Sequence, residues 1–503
     1  MDFALKLMSP NFINVAHTRR PRARPVAAPR HVAMGLVLVA LGTLVEPAQL
    51  RGQDTISDRP RSSRPSFSRS DVGATAVDSL LRRALATSPI IRAAAARLDA
   101  ARHRVPPASA WPDPRLTAGI QNEPLGKEPA TLSAHGTPTS SSGPDPMTMR
   151  MVAVSQTIPY PGKLRLSRSI AEAEAEVADA ALDATRRQVV RDVKSAYYEL
   201  AFLDRALTVV DENQATLATL IRTTESGFSV GQTSQRDVLE ARTDATRLAE
   251  TASSLLEQRR AALARLNALL DRASDAPLEH AAIPEAVRRA AVGDSSKDIR
   301  FASAALGARA ADSPLPALTE LQEEAVRRSP ELREHEAMIA AQTARLELAR
   351  KGSLPDFDVA VEYGQRGGNL PDMLSATVSV PIPLHKRQNQ DELTAAAAST
   401  LASLHAEHGA RVNALQADVA RLVSQLEGER TQLALYRKAI LPQGRAALAS
   451  ATTSYTVGKI ALSGVLESQT SLFTYETDYD RALTDFATNL AELERVVGKE
   501  VLP

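Results

Sequence analysis

The chain contains no cysteine among its 503 residues. This absence excludes disulfides, thiolate metal sites and thiol nucleophiles, and also the lipid-bearing N-terminal cysteine of a bacterial lipoprotein. Aromatic residues make up 4% of the sequence, which is little for a chain with large compact cores. The formal net charge of +1 gives no basis for binding a strongly charged partner. We therefore expect no nucleic-acid partner.

Long apolar stretches are scarce as well. The run at residues 32–45 follows a basic segment and has 14 residues. It is shorter than a bilayer-spanning helix and typical of a signal-peptide core. We assign residues 1–50 to a signal peptide or leader and residues 51–74 to a disordered polar spacer. The alternative is a translated upstream leader with a chance apolar run. If the signal is real, any membrane segment must come from strands.

No catalytic constellation can be identified. The nine histidines are scattered, and no Ser/His/Asp set or carboxylate pair stands in a recognisable context. His405 and His408 have an i, i+3 spacing that can hold a metal, but two such histidines are more often solvated. Gly162-Lys163 lacks the upstream glycine and the following Ser or Thr of a phosphate-binding loop. The sequence thus predicts no enzyme, no cofactor and no metal site.

The chain does contain an internal repeat. Residues 154–163 and residues 378–387 each end an alternating segment with a proline pair and precede a long helical pattern. Such a repeat indicates one duplicated architecture. Prolines stop strand pairing and set turns, so we predict two strand-to-helix turns. Their residues are Pro159, Pro161 and Gly162 in the first repeat and Pro381 and Pro383 in the second.

Further paired segments extend the repeat over most of the chain. Each half reads as helix, strand, strand, long helix, turn and return helix. We place the first repeat at residues 75–270, a linker without clear period at residues 271–317 and the second repeat at residues 318–503. The most informative matches are Ser88-Pro89 with Ser329-Pro330, and Val230-Gly231 with Val457-Gly458.

Four segments alternate between apolar and polar residues with period two, as half-buried strands do. An apolar face opposite a polar face is the pattern of a membrane barrel with a wet lumen, although a soluble antiparallel sheet alternates too. We place Met147, Met149, Met151 and Ala153 on the apolar face and Arg150 on the lumenal face. The three methionines could form a soft-metal ladder, but packing or lipid contact is favoured. The segments are residues 116–121, 147–153, 357–364 and 374–380.

The helical pattern is the stronger signal. Residues 189–221 and 412–440 keep heptad spacing with one polar break each, which predicts coiled-coil packing. Residues 163–221 contain neither proline nor glycine beyond the start, and a helix of that length measures roughly 90 Å. Gly409 and Gly428 could mark bends or close contacts in the corresponding long helix of the second repeat. Short connections then require antiparallel return helices, which we place at residues 234–270 and 462–497.

In this order and spacing, the features resemble the trimeric outer-membrane efflux channels of the TolC family. The resemblance covers about residues 77–498 and both repeats. The run from Gln156 to Lys163 is most similar to the heavy-metal-efflux branch of that family. The missing lipid-anchor cysteine departs from many members of that branch.

The resemblance implies a homotrimer in the outer membrane of a Gram-negative bacterium, with its helices forming a tunnel that extends into the periplasm. It also implies a periplasmic adaptor protein and an inner-membrane pump, of the RND type, docking at the tunnel tip. In such channels each tip turn carries a Val-Gly pair, here Val230-Gly231 and Val457-Gly458. Acidic residues after the second tip often narrow the pore. Glu467 matches one such position, whereas Gly464 stands where another acid is often found.

The fold class expected is mainly α with a small β part. Duplicated coiled-coil hairpins and four membrane strands per chain would form a trimeric channel in contact with outer-membrane lipid. The expected function is a passive export duct without cofactor, with heavy-metal cations as one candidate cargo. A drug or type I secretion channel is the alternative within this class. A periplasmic coiled-coil scaffold is the alternative outside it.

Overall fold

The computed structural model describes residues 76–121, 131–132, 138–139, 148–292, 315–366 and 370–502. The predicted leader at residues 1–50, the predicted spacer at residues 51–74 and Met147 lie outside these ranges. Within them, no helix combines the length and the apolar character needed to cross a bilayer.

The described residues repeat one order of elements twice. Each half has a pair of helices where the sequence analysis predicted one, followed by antiparallel strands, a long helix and a return helix. The first half contains α1 (Ala76–Thr87), α2 (Pro89–Ala108), β1 (Arg115–Gln121), β2 (Thr131–Leu132), β3 (Pro138–Thr139), β4 (Met149–Ile158), α3 (Lys163–Ser229) and α4 (Gln235–Leu269). After α5 (Glu285–Val292), the second half contains α6 (Leu318–Arg328), α7 (Pro330–Lys351), β5 (Phe357–Arg366), β6 (Met373–Ser379), α8 (Gln390–Leu435), α9 (Leu441–Thr456) and α10 (Leu462–Val497).

The Ser-Pro matches explain why each half begins with two helices. Ser88 and Ser329 stand between the two helices of their halves, and proline occupies the start of the following helix. Proline has no N–H to donate, so it fits the first turn of a helix and ends the preceding one. Ser329 also caps α7, because its hydroxyl accepts a hydrogen bond from the Leu332 N–H at 3.2 Å.

Strands from both halves form one antiparallel sheet with the order β1-β4-β5-β6. The centre of the sheet is the β4–β5 pair, which joins the two repeats from Met149 opposite Arg366 to Ile158 opposite Phe357. All four predicted strands are therefore confirmed. The short hairpin of β2 and β3 lies between β1 and β4, where the sequence analysis placed no strand.

The register corrects the predicted facing of β4. Residues directly opposite one another in an antiparallel pair share a face. Val152 lies opposite Ala118 and Tyr363, whereas Met151 lies opposite Gly119 and Gly364. Hence Met149 and Met151 lie on the polar face and Arg150 on the apolar face, opposite to our prediction. The pattern misled because β4 carries apolar residues on both faces, and only its partner strands decide between them.

The helices pack along the predicted heptads. Val193, Leu200 and Leu203 of α3 are almost fully buried, as are Leu422 and Leu426 of α8. All of these except Leu203 belong to one cluster that α10 completes with the fully buried Phe486 and Leu493, among others. Leu203 belongs to a separate cluster with Phe202 and Ala206. The polar break at Glu429 is accommodated because its carboxylate accepts a hydrogen bond from the side-chain amide of Asn489 on α10.

The irregularity of the second long helix is not at its glycines. The helix α8 runs without interruption through Gly409 and Gly428, and a π-helical turn at Tyr436–Ile440 separates it from α9. Pro442 lies in the first turn of α9. Because proline lacks an N–H and its ring clashes with the carbonyl four residues earlier, a wider turn here relieves the conflict. A Cβ added at Gly409 or Gly428 would meet no atom within 4 Å, so neither glycine marks a close contact within the described residues, and a bend at either stays a prediction.

Part of the linker is ordered against α3. Asp204, a buried residue of α3, accepts a hydrogen bond from the Ala281 N–H at 2.8 Å and from Arg259 of α4 at 2.5 Å. The Tyr197 hydroxyl is 3.3 Å from the Ala282 nitrogen, which donates to it. The linker was expected to lack a clear period, but it contains the helix α5.

Candidate docking tips and lining faces

The first candidate site is the turn between α3 and α4. Val230 is exposed, and Gly231 adopts a φ of +73°. The Gly231 N–H donates to the Phe228 carbonyl at 3.0 Å, and the Gln232 N–H donates to the Gly227 carbonyl at 2.8 Å. A residue in the left-handed region after the last helical turn lets the following backbone N–H groups donate to carbonyls of that turn, which would otherwise be unpaired. Glycine enters this region without strain.

The turn between α9 and α10 has the same geometry. Gly458 has a φ of +73°, and Val457 is exposed. The Gly458 N–H donates to the Tyr455 carbonyl at 2.9 Å, and the Lys459 N–H donates to the Ser454 carbonyl at 2.9 Å. A Cβ added to either tip glycine would meet no atom within 4 Å. The two Val-Gly pairs thus form two equivalent, uncovered tips.

A small core holds the two tips to one another. Leu217 and Leu220 of α3 pack with Ala241 of α4 and with Leu462 and Val465 of α10. A Val-Leu pair follows each tip, Val238-Leu239 in the first half and Val465-Leu466 in the second. The two pairs differ in burial. Both valines are buried, but of the leucines Leu239 is 55% exposed and Leu466 5% exposed. The tips therefore form one bipartite surface on a shared hydrophobic base.

Glu467 lies on α10, one residue after the buried Leu466, and its side chain is exposed. A Cβ added to Gly464 would come 3.4 Å from the Ile460 side chain. Within one chain Glu467 faces solvent, so its place in a pore constriction stays a prediction.

The first strand-to-helix turn is built around Gly162 and Lys163. Gly162 has a φ of +91° and lies immediately before α3. Lys163 donates from Nζ to Asp356 Oδ1 and to the Leu354 carbonyl, both at 2.8 Å. The Tyr160 N–H donates to the same Asp356 oxygen at 2.7 Å. Burial raises the Asp356 pKa, but these hydrogen bonds and the Lys163 charge outweigh it and lower that pKa overall.

The second strand-to-helix turn is looser. Strand β6 ends at Ser379, and Pro381 and Pro383 are followed by further turns before α8 begins at Gln390. Pro159 and Pro161, by contrast, lie directly between β4 and α3. Both proline pairs lie between a strand and a helix, but only the first pair leads straight into its helix.

The two faces of the sheet form a second candidate site. One face carries large exposed apolar side chains from all four strands, and the opposite face carries Thr117, Glu362 and Ser375 together with three methionines. The exposed apolar residues are Leu116, Ile120, Val152, Val154, Phe357, Val361, Tyr363, Leu374 and Val378. Such an uncovered apolar face needs a partner or a lipid environment.

The histidine pair that meets in space is not the one suggested by spacing. His405 is exposed, whereas the ring of His408 stacks on that of the buried His335 of α7 at 5.8 Å between centroids. The His335 Nε2 lies 3.6 Å from Glu407 Oε2. In the part of the chain that the structure describes, no group of three or more His, Cys, Asp or Glu side chains is arranged to hold a metal.

Two carboxyl groups of the helical region stand out by their burial. Burial raises the pKa of Glu429 to about 7, although the hydrogen bond from Asn489 acts in the opposite direction. Burial also raises the pKa of Asp480 to about 6 against the attraction of Arg205. Both groups lie between helices, where the charged form is disfavoured.

The duplicated hairpins, the four-stranded sheet with one apolar face and the paired tips define an outer-membrane channel fold. The sequence profile of the Outer membrane efflux protein family matches residues 80–272 and 321–499. The chain belongs to this family, which confirms the resemblance to TolC-family channels. No curated protein matches the sequence.

Solved channel structures have the same fold. The outer-membrane channel OprN superimposes with a TM-score of 0.66 at 17% identity, covering 85% of this chain and 91% of OprN. VceC of Vibrio cholerae gives 0.65 at 17% identity, with 84% and 96% covered. CusC gives 0.65 at 15% identity, with 88% and 99% covered. At such identities the likeness concerns the fold and does not separate one branch of the family from another.

Proposed function

We propose that three copies of this chain close a twelve-stranded barrel. The observation that carries this proposal is the sheet itself, in which β1 and β6 are edge strands and one face is apolar and exposed. Open edges are not tolerated in lipid. The four strands alternate in direction, so β6 of one chain runs antiparallel to β1 of the next and can pair with it in a ring.

The number of chains follows from the width required of a duct. Two chains would give eight strands, and a barrel of about eight strands is filled by its own side chains. Three chains give twelve strands and leave an open interior. The apolar face then contacts lipid, and the polar face lines the lumen. The six helical hairpins of the trimer would surround one periplasmic tunnel.

The chain then acts as the outer-membrane component of a tripartite efflux system. The uncovered Val-Gly tips support docking of a periplasmic adaptor, since small turn residues allow close backbone approach. An inner-membrane pump, of the RND type, supplies the energy and selects the cargo. Heavy-metal cations are the proposed cargo, and a drug or type I secretion channel is the alternative. Fractionation to the outer membrane separates both from a periplasmic scaffold.

Engineered cysteines provide the test, because the chain has none of its own. Within one chain β1 and β6 are separated by two strands, about 14 Å, which is beyond the reach of a disulfide. Cysteines scanned along β1 and β6 should therefore cross-link only between chains, giving a ladder that ends at three chains. A control pair at Thr117 and Ala153, which are neighbours, should give a disulfide within one chain. A ladder ending at one or two chains would contradict the trimer.

A further inference from the structure

We propose that the thioethers of Met149, Met151 and Met373 form a binding site for a soft monovalent cation, Cu(I) or Ag(I), on the polar face of the sheet. The proposal rests on the proposed function only in that this face lines an aqueous lumen. The site itself is formed by one chain.

The register brings the three methionines together. Gly364 of β5 lies directly opposite Met151 on one side and Met373 on the other. Neighbouring strands are about 4.8 Å apart, so the backbones of Met151 and Met373 are separated by about 10 Å with only a glycine between them. Met149 is one same-face position further along β4, opposite Arg366.

The side chains of Met149 and Met151 lie against two gaps that glycines leave in the neighbouring strands. The Met149 Sδ lies 2.8 Å from the position that a Cβ on Gly364 would occupy, and Gly364 is buried. The Met373 Sδ lies 3.9 Å from Nη1 of Arg366, which is the residue opposite Met149. On the β1 side of β4, the Met151 Cγ lies 3.9 Å from the position that a Cβ on Gly119 would occupy. Gly119 and Gly364 thus leave room on both sides of β4, and Gly364 alone stands between Met151 and Met373 in the register.

The chemistry of this set selects the ion. Thioether sulfur is a neutral, polarisable ligand that favours Cu(I) over hard or borderline ions such as Mg²⁺ and Zn²⁺. Ag(I) has the same charge and softness. Because thioethers are neutral ligands, they do not compensate the positive charge of the ion, and Arg366 adds a further positive charge. Glu362 lies on the same face, one same-face position from Gly364 along β5. Such a site binds weakly enough to release its ion, as conduction requires.

If these methionines served only for packing, we would expect them among apolar side chains. Methionine fills gaps in apolar cores, but these three lie on the face of Thr117, Glu362 and Ser375. Met373 is 43% exposed. The large apolar residues of the sheet occupy the opposite face.

The test is Ag(I) binding to the purified, detergent-solubilised protein, measured by calorimetry in chloride-free nitrate buffer at pH 5.5. At this pH most imidazoles are protonated and do not compete, whereas thioethers do not titrate. We expect one Ag(I) per chain and at least a tenfold loss of affinity in the triple Met→Leu variant at 149, 151 and 373. Leucine conserves volume, and the trimer mass reports intact assembly. Met338→Leu, on α7, should bind like the unaltered protein.

A second variant and a spectrum keep the test independent of folding defects. Met373→Leu alone, at the exposed edge strand, should weaken binding, and X-ray absorption of the bound ion should show sulfur ligands only. Unchanged affinity in the triple variant, or nitrogen and oxygen ligands alone, would overturn the site. If cells export other cargo through a protein that binds no Ag(I), the site fails and the channel stands. If Ag(I) binds but nothing is exported, the proposed function fails and the site stands.

Discussion

Lys163, the first residue of α3, places its Nζ 2.8 Å from Oδ1 of Asp356, which precedes β5 in the other repeat. The same carboxylate oxygen accepts the Tyr160 N–H from the proline turn. This contact fastens the start of the longest helix to the base of the central strand pair. The Pro-Gly-Lys run is therefore a structural junction between repeats.

Replacing Lys163 by Met should loosen this junction. We expect a loss of about 2 kcal/mol, because hydrogen bonds to charged groups are worth about 1.5–3 kcal/mol. The matched control is Lys386→Met, an exposed lysine near the second proline turn. Thermal unfolding in detergent measures both. A double-mutant cycle with Asp356→Asn should show coupling, and additive effects would refute the junction.

The pH dependence of this junction has a defined sign. Hydrogen bonds from Lys163 and Tyr160 hold the pKa of Asp356 below its usual value, although burial acts in the opposite direction. The stabilisation is therefore present above the pKa of the unfolded chain and lost as the pH falls through the folded value. The Lys163→Met difference should shrink below about pH 4.

Asp204 should be the most sensitive carboxylate at the contact between α3 and the linker. Its Ala variant leaves the Arg259 charge without its partner and the Ala281 N–H without its acceptor. Breaking a buried pair costs about 3–5 kcal/mol. The control is Glu172→Ala, whose pair with Arg168 is more than half exposed on both sides and should contribute less than about 1 kcal/mol. Chemical denaturation measures both, and equal losses would contradict the difference in burial.

Much of this fold could be predicted from the sequence because its signals are periodic. Heptads over many turns identify the buried stripe of α3 without ambiguity, and the repeat orders the elements. The facing of β4 could not be predicted, since Met151 and Val152 are both apolar and only pairing with Gly119 and Ala118 decides. Contacts such as Lys163 with Asp356 connect residues far apart in sequence, so no local pattern indicates them.

Glu429 should make stability fall as the pH rises. Burial raises its folded pKa to about 7 from the usual 4.5 of a glutamate. Between these values, the folded chain therefore holds a proton that the unfolded chain has lost. Stability is then highest at the acid end of this window and decreases towards pH 7. Glu429→Gln should raise stability at pH 8 by about 1–2 kcal/mol and have little effect at pH 4.

The control for Glu429 is Glu392→Gln, which removes an exposed carboxylate from the same helix. Melting temperatures at pH 4 and pH 8 give the comparison. Asp480, whose pKa burial raises to about 6, should leave a residual pH dependence in the Glu429 variant. Equal pH profiles for the unaltered protein and Glu429→Gln would show that Glu429 ionises normally.

The tips should tolerate bulk structurally but not functionally. Leucine at both Gly231 and Gly458 meets no atom within 4 Å, and the positive φ costs about 1 kcal/mol at each position. We expect trimers of normal mass that no longer copurify with the adaptor or support export. Gly409→Leu, at an exposed helical glycine with equal room, is the control. Export at the unaltered level would place docking elsewhere.

Glu467 should set the charge preference of the narrow periplasmic end. Three copies would form an acidic ring, and such rings favour cations over anions. Glu467→Gln should therefore reduce cation preference in planar-bilayer recordings, and the difference should diminish in high salt because exposed charges are screened. The repeat supplies a matched control in Glu240, which follows Val238-Leu239 as Glu467 follows Val465-Leu466. If Glu240→Gln changes selectivity and Glu467→Gln does not, the first hairpin lines the constriction instead of the second.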